Sequence, residues 1–255
     1  MSLPTWTPDE LSSEARRLAG VCWRVVEAQH QVSTLKLVDT IEEQALIEDL
    51  IEQTKSSLPP ECRHLDYLLA TPFRYDTPYP RGSRFRRPGK TLGVFYASEK
   101  PETAIAEMAF YRLLFFAESP GASWPANAGE YTAFAASYRT RRALDLTRPP
   151  LDANGVHWTD PIDYTRCQEL AQAARAAEIQ ILRYFSVRDP NRRINLALLV
   201  CAVFTSAVPT GRQTWRIRLG SSGVQAICEF PRMHLEFGRD SFNSDPRIAG
   251  LNWDR

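Results

Sequence analysis

The sequence predicts an α+β fold with a mixed sheet at its core, and three observations carry that prediction. Residues 9–57 place apolar side chains at helical spacing, whereas short runs at 91–97, 129–138 and 195–237 concentrate β-forming residues between glycine and proline turns. Residues 163–182 are rich in alanine, glutamate, glutamine and arginine, which favour helix. A chain of 255 residues, 44% of them hydrophobic, holds enough material for one main domain with an appendage.

Taken in order, Leu11, Ala15, Leu18, Cys22 and Val25, then Ile41, Leu46, Ile47, Leu50 and Ile51, predict two helices joined near Ser33. Pro59 and Pro60 stop the second, because proline has no amide proton and restricts the residue before it. A helical N-terminal extension over residues 1–65 follows. Residues 72–90 turn to proline, glycine, arginine and tyrosine and read as a long functional loop. Residues 91–97 then form a short strand that carries Tyr96 at its end. Pro101 suits a first helical turn, and Ala104, Met108, Tyr111 and Phe115 share one face, so Glu107 sits mid-helix. Residues 129–138 predict a strand that 141–146 extends or follows. The helix at 163–182 runs into residues 183–193, and strands follow at 195–204, 214–219, 224–230 and 233–237. The main domain is read as residues 66–240 and the remainder, 241–255, as a C-terminal tail.

Composition excludes several classes. The formal net charge is +1, so the molecule as a whole lacks the field of a nucleic-acid binder, and any basic site is local. The start of the chain has no basic segment followed by an apolar core, and the longest apolar run, residues 194–208, contains Asn195 and falls short of a membrane span. A cytoplasmic protein is expected. Its five cysteines are widely scattered, which argues for reduced, mostly buried thiols and against a zinc site; the four histidines are equally scattered, and no metal is expected. Glycine-rich dinucleotide and phosphate loops and the Gly-x-Ser-x-Gly elbow are all missing.

Three features carry chemistry. Glu107 and Arg112 are the charged residues of an otherwise almost wholly apolar stretch, 103–116, and the helical neighbours of Glu107, namely Thr103, Phe110 and Tyr111, offer no ion pair. Either a distant arginine meets this carboxylate in a structural salt bridge, or it faces a cleft as a catalytic group. Arg74, Arg81, Arg84, Arg86 and Arg87 crowd the loop before Tyr96, and guanidinium groups grip phosphate through paired hydrogen bonds. Arg81, Arg86 and Arg87 read as a solvated charged loop, whereas Phe73, Tyr75 and Phe85 flank Arg74 and Arg84 and hold their stems. Ser186, in the run from Tyr184 to Pro190, stands where a helix gives way to a core strand, a place for a ligand contact or a turn cap; Asn195 similarly fits a strand cap.

In order, Phe73-Arg74-Tyr75, Gly82-Ser83-Arg84-Phe85, Gly93-Val94-Phe95-Tyr96-Ala97-Ser98, Thr103-Ala104-Ile105-Ala106-Glu107 and Phe185-Ser186-Val187-Arg188-Asp189-Pro190, followed by Asn195-Leu196, resemble the RES domain family. The resemblance spans about residues 66–205. It implies a fold similar to ADP-ribosyltransferase toxins and an activity that degrades NAD by phosphorolysis or hydrolysis in bacterial toxin–antitoxin pairs. By position, Glu107, Arg74 and Ser186 become the catalytic candidates, and Arg74, Tyr75, Arg84, Tyr96 and Ser186 those for binding NAD as substrate. The implied partner is a small helix-turn-helix antitoxin, through which nucleic acid enters only indirectly. Where many members read Gly-Arg-Trp-Asn, this chain has Gly82-Ser83-Arg84-Phe85-Arg86, and its N-terminal stretch is an addition to the shorter toxins. Two rival readings are ADP-ribose transfer to a protein, and a non-catalytic module in which Arg139, Arg141 and Arg142 join the arginine loop to grip RNA or a protein.

Overall fold

A computed structural model describes residues 6–27, 37–54, 56–74, 82–89 and 91–255. Its frame is an eight-stranded sheet in the order β1-β2-β5-β4-β3-β6-β7-β8, with β1 also pairing β3. The strands are β1 (Arg16–Glu27), β2 (Phe95–Ser98), β3 (Gly129–Asp145), β4 (Ile181–Phe185), β5 (Ile194–Leu198), β6 (Gly211–Gly220), β7 (Gly223–Cys228) and β8 (Met233–Gly238). The second pairing of β1 closes β1, β2, β5, β4 and β3 into a ring, from which β6, β7 and β8 continue as an antiparallel meander. β3 and β4 run parallel and the other pairings are antiparallel, so the expected mixed sheet is present.

The helical extension expected over residues 1–65 is corrected. Helix α1 (Pro8–Ser13) is capped by a reciprocal pair, Thr7 with Glu10, and ends at Glu14. The chain then enters β1, twelve residues that pair β3 from Glu27↔Tyr131 back to Arg16↔Ala143. Val21, Trp23, Val25 and Val26 fit a pleated surface better than a helix, and a long partner strand decides the outcome. Helix α2 (Ile41–Thr54) does form, with Ile41, Leu46 and Leu50 largely exposed. Ser33, the expected joint between the two helices, lies outside the described residues.

Downstream, α3 (Tyr67–Ala70) precedes β2, which is shorter than expected because residues 91–94 make a close crossing instead of pairing. At Gly93 a Cβ would lie 2.1 Å from the Pro72 carbonyl oxygen, an approach open to glycine alone. Helix α4 (Pro101–Ala117) matches its expected start, and the two expected segments at 129–146 are one strand, β3. After α5 (Gly155–Trp158), helix α6 (Thr165–Ala176) stops earlier than its composition indicates. Glu178 takes a positive φ of 56°, and the Ile179 N–H bonds the Ala174 carbonyl, a left-handed cap that turns Ile181–Phe185 into strand β4.

Three apolar clusters fill the fold. The first packs α4 on β3, β6, β7 and β8, the second fills the ring around Phe95 and Phe134, and the third lies under α1 and α6. The segment expected as a tail belongs to the first: Phe242, Ile248 and Leu251 are buried in it, and α7 (Pro246–Ala249) lies against α4. The expectation of reduced cysteines holds for Cys22, Cys167 and Cys228, whereas Cys62 and Cys201 are joined by a disulfide across 139 residues. Intact-mass measurement without reductant is therefore expected to show two fewer hydrogens than the fully reduced chain, and reduction, or Cys62→Ser, to lower unfolding stability by about 2–4 kcal/mol.

Candidate functional site

Glu107 faces a cavity of about 840 Å³ between α4, the open end of the β1–β2 pair and the loops at 82–84, 162–164 and 187–188. From α4 the lining residues are Ala104, Glu107, Met108, Tyr111 and Leu114, one stripe at helical spacing that runs about 15 Å along the axis. The helix thus presents a single charged group to a mostly apolar wall.

The carboxylate is held from two directions. Ser186 Oγ and Asn195 Nδ2 each donate to Glu107 Oε1 at 2.6 Å. Asn195 is fixed in turn, because β5 pairs β2 in the register Asn195↔Ser98 and Ser98 Oγ donates to Asn195 Oδ1 at 2.6 Å. Ser186 begins the loop after β4 and accepts the N–H groups of Arg188 and Asp189, so its hydroxyl shapes a turn and donates its proton to Glu107. The same loop is tied to the first turn of α4, where Thr103 Oγ1 donates to Asp189 Oδ2 at 2.8 Å and Arg193 pairs with both Asp189 oxygens. Burial and the nearby Glu107 carboxylate push the Tyr184 phenol well above its ordinary pKa, which keeps a neutral hydroxyl in the cavity wall.

Arg84 reaches the same cavity and is 8% exposed. Among the described residues its partners carry no negative charge: Nη1 donates to the Trp158 carbonyl at 2.9 Å, Cys167 Sγ lies 3.9 Å away, and the guanidinium sits 4.7 Å over the Tyr164 ring. Burial pushes the Cys167 thiol up to about 11, so it stays protonated beside the cation. Gly82, at φ +64°, allows the tight turn that aims Arg84 inward; a Cβ there would lie 2.7 Å from the Arg86 carbonyl. Tyr96 lines the cavity as well, but its hydroxyl is engaged in the turn, bonded to Ser83 Oγ and accepting the Phe85 N–H.

The structure does not bring Arg74 to this cavity. Phe73 is anchored in the ring interior, stacked 6.3 Å from Phe95, and Arg74 Nη1 donates to the Ser56 carbonyl at 2.6 Å. Tyr75 and Arg81 lie outside the described residues. Arg87 is exposed as expected, whereas Arg86 is half-buried and donates to the Thr91 hydroxyl and carbonyl. Arg142 is used structurally, bonding the Ala177 and Glu178 carbonyls at the end of α6, and it does not line the cavity, nor do Arg139 and Arg141.

Sequence reading missed Trp23 and Arg24 of β1, Tyr164, and Arg247 of α7, all of which line the cavity. Arg188 stands in the recognised run around Ser186, yet its place in the lining follows from the fold. Four arginines, Arg24, Arg84, Arg188 and Arg247, line the cavity beside two acids, Glu107 and Glu118, and the buried Asp245 pairs with Arg188 and Arg247. Among the described residues no group of three or more His, Cys, Asp or Glu side chains could hold a metal ion, and no helix is long and apolar enough to cross a membrane.

An α+β protein here holds a half-buried carboxylate and a buried guanidinium, whose described partners are neutral, in one cavity. Its family is specific: the RES domain matches residues 58–220, well over half of the chain, and the protein belongs to the RES domain family. Among solved structures the chain is similar to the M. tuberculosis MbcT–MbcA toxin–antitoxin complex, at 12% identity and a TM-score of 0.44, over 93% of this chain and 95% of that one. No curated protein matches it.

Two stability effects follow. Ser186→Ala removes one donor to Glu107 and the acceptor of two buried N–H groups, so chemical denaturation is expected to show a loss of about 1–3 kcal/mol. Burial alone would raise the carboxyl groups of Asp189 and Asp245, but bonds from Arg193 and Arg247 overcome it and leave both below the ordinary aspartate range. The unfolded chain then binds more protons than the folded one. Thermal midpoints should hold down to about pH 4 and fall below it, with a shallower fall in Asp189→Asn, as a pH series of melting curves would read.

Proposed function

We propose that this protein degrades NAD by cleaving the bond between nicotinamide and ribose, and that it serves as the toxin of a toxin–antitoxin pair. The observation that carries the reading is the shared cavity of Glu107 and Arg84, a carboxylate with a free oxygen and a buried cation whose described partners are neutral. Membership in the RES domain family supports the same reaction class. The closed mixed sheet with its cleft is read as an ADP-ribosyltransferase-like fold.

Departure of nicotinamide builds positive charge on the ribose, as in glycoside cleavage. Glu107 stabilises that charge through Oε2 while Ser186 and Asn195 hold Oε1, which fixes the carboxylate before the ligand arrives. Arg84 grips the pyrophosphate. Tyr96 supports the turn that carries Arg84 and contributes its ring edge to the nicotinamide end. A water or phosphate oxygen forms the new bond to the ribose carbon as the carbon–nitrogen bond breaks; nicotinamide leaves with the electron pair and the acceptor's proton goes to solvent. The products are ADP-ribose or its 1″-phosphate. A small helix-turn-helix antitoxin is the expected partner.

Purified protein incubated with NAD, with and without phosphate, is expected to release nicotinamide, with product mass naming the acceptor. Glu107→Gln should slow this by roughly 10² to 10³, the loss of about 3–4 kcal/mol of transition-state stabilisation. Intact NAD under every acceptor tried would overturn the proposal, and ADP-ribose attached to an added protein would replace it with transfer. An RNA-binding module would instead show salt-sensitive RNA affinity that Glu107→Gln leaves unchanged.

A further inference from the structure

Two of the arginines in the cavity wall pair with a carboxylate that lies beyond the family match. Arg188 sits in the loop after Ser186, and Arg247 belongs to α7, past residue 220. Asp245, 1% exposed, joins them: its Oδ2 pairs with Arg188 Nη1, while Arg247 offers Nε to Oδ1 at 3.0 Å and Nη2 to Oδ2 at 2.8 Å. The Arg188 guanidinium, 4% exposed, also lies 4.0 Å over the Phe110 ring and donates to the Pro161 carbonyl. Arg247 stands 5.7 Å over the same ring. Asp245 itself is fixed as the cap of α7, accepting the Arg247 N–H.

One carboxylate against two guanidinium groups leaves one positive charge over, and like charges this close repel without the acid between them. The surplus faces the cavity that also holds Arg84. Phosphate groups suit such a site, since the surplus charge and the guanidinium N–H groups that Asp245 does not take both favour anionic oxygens.

We propose that Asp245 is a positioning residue for anion binding: it holds Arg188 and Arg247 at the cavity wall, where they and Arg84 take the phosphates of a nucleoside diphosphate ligand. The inference rests on the dinucleotide reading given above. The sign of the Asp245→Asn effect separates geometry from bulk charge. Asp245→Asn makes the cavity more positive, and charge alone would tighten anion binding; loss of positioning weakens it.

The test is isothermal titration of ADP-ribose and of inorganic pyrophosphate into the full-length protein, its Asp245→Asn, Asp245→Glu and Arg247→Gln variants, with melting curves alongside. Asp245→Asn is expected to weaken both ligands about tenfold or more, Asp245→Glu to recover part of that loss, and Arg247→Gln to weaken both about tenfold. A folded Asp245→Asn protein that binds both probes as tightly as the parent, or more tightly, overturns the proposal. Should that variant not fold, Arg247→Gln decides, because this side chain is 34% exposed and its removal leaves Asp245 in place; unchanged affinity there overturns it equally. Parent protein that binds pyrophosphate and ignores ADP-ribose would end the dinucleotide reading, while the Asp245 comparison on pyrophosphate would still decide this one.

Discussion

A carboxylate on an otherwise apolar helix must be met by donors from other parts of the chain, and the meeting at Glu107 organises the centre of this molecule. Its Oε1 takes hydrogen bonds from the loop after β4 and from β5, and the second of these is relayed from Ser98 on β2. One helix, two strands and a turn are thereby fixed against each other around a single oxygen. An unmet carboxylate here would face the desolvation cost of a half-buried charge, so its two donors, one of them held by Ser98, stabilise the fold as well as the site. Polar and structural requirements coincide at one point.

The cations are arranged by a different rule. Arg84 and Arg188 lie on aromatic rings, Tyr164 and Phe110, which hold their planes without neutralising them. Carbonyl oxygens of Trp158 and Pro161 take up individual N–H groups in the same way. At Arg84 the charge is therefore oriented and kept, with no acid among its described partners, whereas Arg188 also meets Asp245, which it shares with Arg247.

What could be read in advance was local. Proline at the first turn and the regular apolar spacing after it place Glu107 on α4, and that helix is present as expected. The turn at residues 82–86 likewise announces itself through glycine, and Arg84 reaches the cavity. What escaped reading depends on distant partners. Leu11, Leu18, Cys22 and Val25 fit a helical period, yet the long edge of β3 claims residues 16–27 as a strand. The helix signal of residues 163–182 carries past its true end, because a left-handed Glu178 is invisible in composition. Arg74 sits in the arginine-rich loop and still points elsewhere, since Phe73 is drawn into the ring. The pairing of Cys62 with Cys201 and the role of Asp245 are likewise contacts between remote positions, for which a single sequence carries no local mark.

The double pairing of β1 has a practical consequence for dividing the chain. A fragment trimmed to residues 58–220 would keep every recognised motif while discarding both β1 and the β7–β8 hairpin. β3 would then expose a row of unpaired backbone groups from residue 131 to 143, and β6 another, with the apolar faces of Ala133, Trp215 and Ile217 uncovered beside them. Such bare borders invite neighbouring copies to add strands, so the minimal unit defined by its signature residues is a candidate for clumping rather than a smaller working protein.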